Sequence, residues 1–422
     1  MTGRLLFHIL QLRERLWVRP ILYCVCAILI VFLARVADLL QHDIRVPLVT
    51  ADTIEKLLTI ISSTMLAVAT FAVGSMVAAY GSVSTSATPR AFALVVADDV
   101  SQASLSSFIG AFIFSIVAII AVKTGLYQPT GQFVLFCITL LIFAWVVATF
   151  VRWVDNIARL GRVGNTIERV EAAATEMFAS RSAAPFMGGC RADPDAPLEG
   201  KAIIGSEIGY LRYVDVALLQ EIAEANDLRI ELNVLAGSFM GPGRVLCRTD
   251  DRSGKISDTL SREIARAFVL GKNRTFREDP RFALVVLSEI AARALSPAVN
   301  DPGTAISIIG SLVRLFSQWS QGLQDENRSV EFDRVLVPEL RLPDMFNDAF
   351  TAIARDGADK VEVGIRLQTA FRALAEHGNA AVQIEAQRHA RIAFERSRNA
   401  LTIADDLDRV AHHAAKLGVN ID

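Results

Sequence analysis

Histidine and cysteine are scarce in this chain of 422 residues, which contains six histidines and five cysteines. Cys24 and Cys26 are separated by one residue, a spacing that does not suit zinc, and no histidine cluster accompanies them. We therefore expect free thiols, no metal and no cofactor. The catalytic signatures of serine hydrolases, zinc proteases, P-loop nucleotidases and protein kinases are also absent from the sequence, so we do not expect an enzyme.

An excess of charge of one sign is lacking as well. The 43 Lys and Arg residues nearly balance the 45 Asp and Glu residues, which leaves a net charge of −2. Proteins that bind nucleic acid carry a basic patch or stripe. The sequence therefore predicts no nucleic-acid partner.

Long uncharged runs, in contrast, fill the first third of the chain. About 20 apolar residues are enough for a helix to cross the hydrocarbon core of a bilayer. We expect a transmembrane domain over residues 1–151. Its four helices are predicted near residues 20–40, 57–79, 105–122 and 133–151.

The first of these spans contains two charged residues, Arg35 and Asp38, which are three positions apart. Arg35 can reach the far interface with its long side chain, where Asp38 can pair with it. Two interpretations stay open. The pair is either an interfacial ion pair or a charge on an ion path.

The distribution of basic residues predicts the orientation. Arg4, Arg13 and Arg15 precede the first span, and further arginines such as Arg152 and Arg159 follow the last one. The loops between spans one and two and between spans three and four are short and poorer in basic residues. Because basic residues concentrate on the cytoplasmic side, we expect both termini to be cytoplasmic.

Small residues recur at helical spacing on three predicted helices. Such faces let helices approach closely, within one subunit or between subunits, and we expect a homo-oligomer in the lipid bilayer. A second interpretation is that Ser63, Thr70 and Gly74 line a polar pathway. The faces comprise Ser63, Thr70, Gly74 and Ala78 in the second span, Ser107, Ala111 and Ser115 in the third, and Val382, Ala386, Ala390, Ala393 and Ser397 in the tail.

The remainder of the chain has the pattern of short strands and helices of a soluble α+β domain. Together with the four spans, it predicts a membrane protein that is mainly α. Residues 152–200 are expected to form an amphipathic helix and a mobile connector rich in Pro and Gly. Residues 201–256 form a small β-rich module with a hairpin at 241–243, and residues 257–422 form a helical cytoplasmic domain.

A polar turn separates two apolar helices near residue 300. Asn300 or Asp301 is expected to cap the second helix, and Pro302 fits its first turn. Ser296 and Thr304 complete the turn. The turn is either structural or a site where Asn300, Asp301 and Thr304 bind a ligand or an ion. Since Asp301 is acidic, it argues against an anion there.

The segment Ser296-Pro-Ala-Val-Asn-Asp-Pro-Gly-Thr-Ala305 resembles the signature of a bacterial family of predicted membrane proteins of unknown function. The resemblance implies a bacterial inner-membrane location, and it implies no activity. Five further segments fit the same pattern: Pro89-Arg90, Gly237-x-Phe-x-x-Pro-Gly243, Arg274-Thr275, Asp279-Pro-Arg-Phe-Ala283 and Ile290-Ala-Ala-Arg-Ala-Leu295.

Two functions are compatible with these observations. In the first, several copies form a channel or conductance pathway with cytoplasmic regulatory domains, because four spans in one chain are too few for the usual inverted-repeat transporter. In the second, the protein is a membrane-anchored sensor or scaffold whose cytoplasmic domain binds a protein or a small ligand.

Overall fold

The computed structural model describes residues 17–40, 47–92, 94, 99–159, 162–250, 256–322 and 330–419. Arg4, Arg13 and Arg15 of the expected basic flank lie outside the described residues. The chain divides into an N-terminal unit within residues 5–166 and a C-terminal unit within residues 167–422.

In the described part of the N-terminal unit, four helices are long and apolar enough to cross a membrane. Each extends beyond the span expected from the sequence, because polar and charged residues at the ends continue the helical hydrogen bonding outside the uncharged run. The helices are α1 (Val18–Leu40), α2 (Ala51–Ser86), α3 (Asp99–Lys123) and α4 (Pro129–Arg159).

Asp38 near the end of α1 fixes the start of α4. Its carboxylate, which is 2% exposed, accepts the backbone N–H groups of Gln128 at 3.0 Å and Gly131 at 2.6 Å. Arg35 lies 3.6 Å from the same carboxylate and donates to the carbonyl of Leu126 at 2.6 Å. These are the contacts of a helix cap, so they favour the structural interpretation of the charged pair.

Helix α3 lies at the centre of the N-terminal unit and packs against α1, α2 and α4. Phe108 and Phe114 on its buried side are almost inaccessible to solvent. A Cβ added to Gly110 would meet the Cβ of Tyr23 in α1 at 3.2 Å, so the absence of a side chain lets these two helices approach closely.

The C-terminal unit is mainly helical. It receives the chain through α5 (Val163–Ala183), which follows α4 closely in the sequence. The other helices are α6 (Val216–Ala225), α7 (Asp258–Ala265), α8 (Pro280–Ala294), α9 (Pro302–Gly322), α10 (Leu342–Asp356), α11 (Val361–His377), α12 (Ala380–Ala400) and α13 (Ala404–Ala415).

Two small sheets accompany these helices. One has five strands in the order β1-β8-β4-β6-β2 and the other three in the order β5-β3-β7. Strand β8 lies between β1 and β4 and pairs in parallel with both. The strands are β1 (Gly189–Arg191), β2 (Lys201–Ile204), β3 (Gly209–Val214), β4 (Ile230–Leu232), β5 (Phe239–Met240), β6 (Val245–Thr249), β7 (Phe268–Gly271) and β8 (Phe332–Val337).

This topology corrects two expectations and supports part of a third. Residues 201–256 do not form a separate module, since β1 and β8 belong to the same sheet as strands from that range. The strands expected on either side of 241–243 correspond to β4 and β6, which pair antiparallel, although β5 lies between them in the sequence and joins the other sheet. Residues 180–200 are not a continuous connector, because they contain the end of α5 and strand β1. Parallel partners are joined by long crossovers, which leave no local pattern to read.

Aromatic rings fill the core of the helical part. Phe316 of α9 packs 4.4 Å from Phe346 of α10, ring centroid to ring centroid, and Phe350 packs 4.9 Å from Phe371 of α11. The small-residue face of α12 closes this core and is buried within the chain, so it packs helices of one chain. It comprises Val382, Ala386, Ala390, Ala393 and Ser397.

Candidate functional site

The small-residue face of α2 is exposed in the described chain. Ser63, Thr70, Gly74 and Ala78 are all accessible, and a Cβ added to Gly74 would meet no atom within 4 Å. The hydroxyls donate within their own helix, from Ser63 to the Ile60 carbonyl at 3.1 Å and from Thr70 to the Leu66 carbonyl at 2.9 Å. The face is therefore unoccupied but does not demand a hydrogen-bonding partner.

The small-residue face of α3, unlike that of α2, is buried within the chain. Ser107, Ala111 and Ser115 are 5%, 4% and 0% exposed. Ser115 donates to the Ala111 carbonyl at 2.8 Å, and the indole N–H of Trp145 in α4 donates to Ser107 at 3.4 Å. This face packs helices within one chain, and it is not available as a contact between copies.

The turn between α8 and α9 brings its four predicted residues together. Asp301 caps α9, because its carboxylate accepts the Thr304 N–H at 3.1 Å and the Thr304 hydroxyl at 2.6 Å. Asn300 precedes it with φ +48°, a left-handed conformation that asparagine tolerates better than most residues. Ser296 donates to the carbonyl of Arg293 at 2.7 Å.

These contacts explain the conformation of the turn without a ligand. The hydrogen bond from the Thr304 hydroxyl, with that from the Thr304 N–H, lowers the pKa of Asp301 below its ordinary value, so the carboxylate is ionised at neutral pH. The side chain is nevertheless exposed to solvent. Among the described residues, no group of three or more His, Cys, Asp or Glu side chains could hold a metal ion.

A second cluster joins two segments that are distant in the sequence, one around Gly237 and one from Arg274 to Phe282. Arg274 makes a bidentate ion pair with Asp279, at 2.7 and 3.0 Å. Asp279 is 2% exposed and caps α8 by accepting the Phe282 N–H at 3.2 Å. Gly237, with φ +92°, lies directly against this carboxylate, since an added Cβ would be 2.8 Å from Oδ1 of Asp279. The guanidinium of Arg274 also stacks 5.2 Å from the ring centroid of Phe282.

Gly237, Arg274 and Asp279 belong to segments that carry the family resemblance, but no pattern in the sequence predicted that they meet. One local signal was available, because Asp279 followed by Pro280 is typical of a helix cap with proline in the first turn. The partners of Asp279 could not be found in that way. Arg274 precedes Asp279 in the loop before α8, whereas several elements, including β5, β6 and α7, separate Gly237 from Asp279 in the sequence.

Four apolar helices followed by a unit of small sheets and helices define a multispan membrane protein with a large additional unit. The chain belongs to the family described as "Predicted membrane protein (DUF2254)", whose model matches residues 13–373. The resemblance seen in the sequence is thereby confirmed.

The chain is also similar to uncharacterized proteins of Mycobacterium bovis and Mycobacterium tuberculosis, with 33% identity over 139 residues. That match covers 32% of this chain and 27% of each relative. The chain thus spans about a quarter of the length of the curated relatives that it matches. No solved structure matches the chain.

Proposed function

We propose that the protein is a homo-oligomeric channel or conductance pathway of the bacterial inner membrane, regulated by the C-terminal unit on the cytoplasmic side. Four spans in one chain are few for the enclosure of a water-filled path. Several copies that bring equivalent helices to a common axis would supply the missing walls.

The exposed face of α2 is the observation that carries this proposal. A helix surface that meets lipid is usually covered by bulky apolar side chains, as on α4, where Leu141 and Trp145 are 71% and 58% exposed. Ser63, Thr70 and Gly74 present little apolar area to a bilayer. Their small size suits either a close contact with another copy or a path lined by hydroxyls and backbone.

The contrast with α3 strengthens the argument. Both helices carry small residues at helical spacing, yet Ala111 and Ser115 of α3 are covered by neighbouring helices of the same chain, whereas Gly74 and Ala78 of α2 are exposed. Packing within one chain therefore explains the small residues of α3 but not those of α2. Contact between copies would explain the small residues of α2.

Ion flux in proteoliposomes of the purified protein tests conduction, and light scattering in detergent and in nanodiscs tests assembly. We expect flux of K⁺ or Cl⁻ from the wild type and a particle larger than one chain of 46.0 kDa. Gly74→Leu should abolish most of the flux or the assembly. Because open space surrounds Gly74 in the isolated chain, this loss would arise between copies.

Ala144→Leu is the matched control. Ala144 is exposed on α4 among bulky residues, so leucine there should change neither flux nor assembly. A single-chain mass in every detergent and in nanodiscs would refute the oligomer. An oligomer that conducts no ion would refute the channel.

A sensor or scaffold is the second candidate, and the surface of the turn before α9 favours it. Val299 is 51% exposed beside the exposed side chains of Asn300 and Asp301, which places an apolar and an acidic group on one protruding turn. A folded Asp301→Asn protein that loses binding of a partner, with no flux in the wild type, would favour this function over the channel.

A further inference from the structure

A cavity of about 350 Å³ lies within the C-terminal unit, where the end of α5 meets the start of α8. This volume is at the lower end of the range for small-molecule sites. Apolar walls come from Met177, Ala184, Met187 and Pro280, and charged groups come from Arg181, Arg277, Glu278 and Glu331. Arg181 is the buried member of this set, with 7% of its surface exposed.

The guanidinium of Arg181 is poorly satisfied for so buried a group. Among the described residues it makes one hydrogen bond, to the carbonyl of Pro185 at a long 3.5 Å, although a guanidinium has five N–H donors. It forms no ion pair within 4.0 Å with a described carboxylate. Burial lowers the pKa of Arg181, which reflects the cost of holding this cation away from water. Buried charges are normally paired.

The neighbouring carboxyl groups do not complete the pairing. Asp279 is held by the two hydrogen bonds from Arg274. Glu278 makes no hydrogen bond to another described residue, and burial raises the pKa of its carboxyl group above the ordinary value. Glu331 lies at the exposed edge of the cavity. A positive charge thus stands at the buried side of the cavity with its donors incompletely used.

We propose that this cavity binds a soluble organic anion, a carboxylate or a phosphate monoester, whose charged head pairs with Arg181 and whose small apolar body packs on Met177 and Met187. The planar fork of arginine matches two oxygens of such a head group. The assignment is independent of conduction by the membrane helices, so absence of flux would leave it standing.

Calorimetric titration of the full-length protein in nanodiscs of zwitterionic lipid tests the assignment. The probes are benzoate and phenyl phosphate, with inorganic phosphate as the head alone and benzyl alcohol as the uncharged body. We expect the two aromatic anions to bind one per chain, inorganic phosphate to bind more weakly and benzyl alcohol not to bind. Equal binding of benzyl alcohol, or no binding of either aromatic anion, would overturn the proposal.

Variants then locate the site. Arg181→Gln should weaken phenyl phosphate binding roughly 10–100-fold, the range for the loss of a charge-assisted contact, and Arg181→Lys should weaken it less. Ala184→Trp fills the cavity from an exposed position, keeps every charge and should abolish binding. The Ala184→Trp variant tests the site even if Arg181→Gln fails to fold. Arg191→Gln is the matched control, because Arg191 is exposed and pairs with Glu339. Unchanged affinity in folded Arg181→Gln or in Ala184→Trp would refute the site.

Discussion

Gly237→Ala is the substitution for which the structure predicts the clearest effect on stability. Gly237 has φ +92°, which costs a residue with a Cβ about 1–2 kcal/mol. In addition, the new methyl group would be 2.6 Å from Cγ and 2.8 Å from Oδ1 of Asp279. Because these distances are well inside van der Waals contact, the carboxylate has to move away.

The displaced carboxylate cannot keep its three hydrogen bonds. It accepts two hydrogen bonds from Arg274 and one from the Phe282 N–H. Hydrogen bonds to charged groups contribute about 1.5–3 kcal/mol each, and loss of a helix cap costs about 0.5–2 kcal/mol. Partial relaxation recovers some of this, so we expect the clash to cost about 3 kcal/mol beyond the backbone strain.

Gly243→Ala is the matched control, since Gly243 has φ +79° but open space where a Cβ would lie. It should show the strain alone. At roughly 2–4 °C per kcal/mol for a unit of this size, Gly237→Ala should unfold about 6–12 °C below the control in a thermal scan of the full-length protein. In an Asp279→Ala background the clash is gone, so Gly237→Ala should cost no more than the control. Equal unfolding temperatures for the two single variants would refute the reasoning.

Three further predictions concern the turn, a buried histidine and the topology. Asp301→Asn should be mild in thermal unfolding and Asp301→Ala should cost about 0.5–2 kcal/mol, because asparagine caps a helix about as well as aspartate; loss of activity in a stable Asp301→Asn protein would make the turn functional. Burial lowers the pKa of His389 from 6.5 to about 4. As the pH falls, the unfolded chain therefore takes up this proton before the folded chain does. The free energy of unfolding should fall by up to about 3 kcal/mol between pH 6.5 and pH 4. Urea unfolding of His389→Gln should lack that slope, and an unchanged slope would contradict the assignment. A reporter after the last residue should be cytoplasmic and one inserted near Gln128 external, and the opposite result would overturn the proposed orientation.

The transmembrane helices could be predicted because their signal is local. An uncharged run long enough to cross a bilayer is visible without knowledge of its neighbours, and α3 and α4 contain such runs. The sheets gave no comparable signal. Strand β8 has four apolar residues among six, but its parallel partners β1 and β4 are far away in the sequence, so the pattern could not show which strands meet.

The candidate sites also differ in whether their residues are neighbours in the sequence. The cap formed by Asp301 could be read from Asn-Asp-Pro-Gly-Thr, because a cap involves neighbours in the sequence. The contact of Gly237 with Asp279 and the buried position of Arg181 could not. An arginine near the end of an amphipathic helix ordinarily reaches solvent, whereas Glu278 and Glu331, which line the same cavity, come from distant parts of the chain.

Helix α5 connects these observations, because it follows the last span and is fixed along α9. Glu171 of α5 forms a bidentate ion pair with Arg314, at 2.5 and 2.8 Å, and accepts the Ser311 hydroxyl at 2.6 Å. The ion pair lowers the pKa of Glu171 below its ordinary value, so the contact persists at neutral pH.

One turn before Arg181, the ring of Phe178 packs 5.5 Å from that of Trp319, centroid to centroid. These contacts hold α5 against α9, which begins after the Asp301 turn, and Arg181 lies near the end of α5. A ligand that pairs with Arg181 therefore acts on the helix that leads from the membrane. Regulation by this route requires a second arrangement of the pair that the ligand binds with a different affinity.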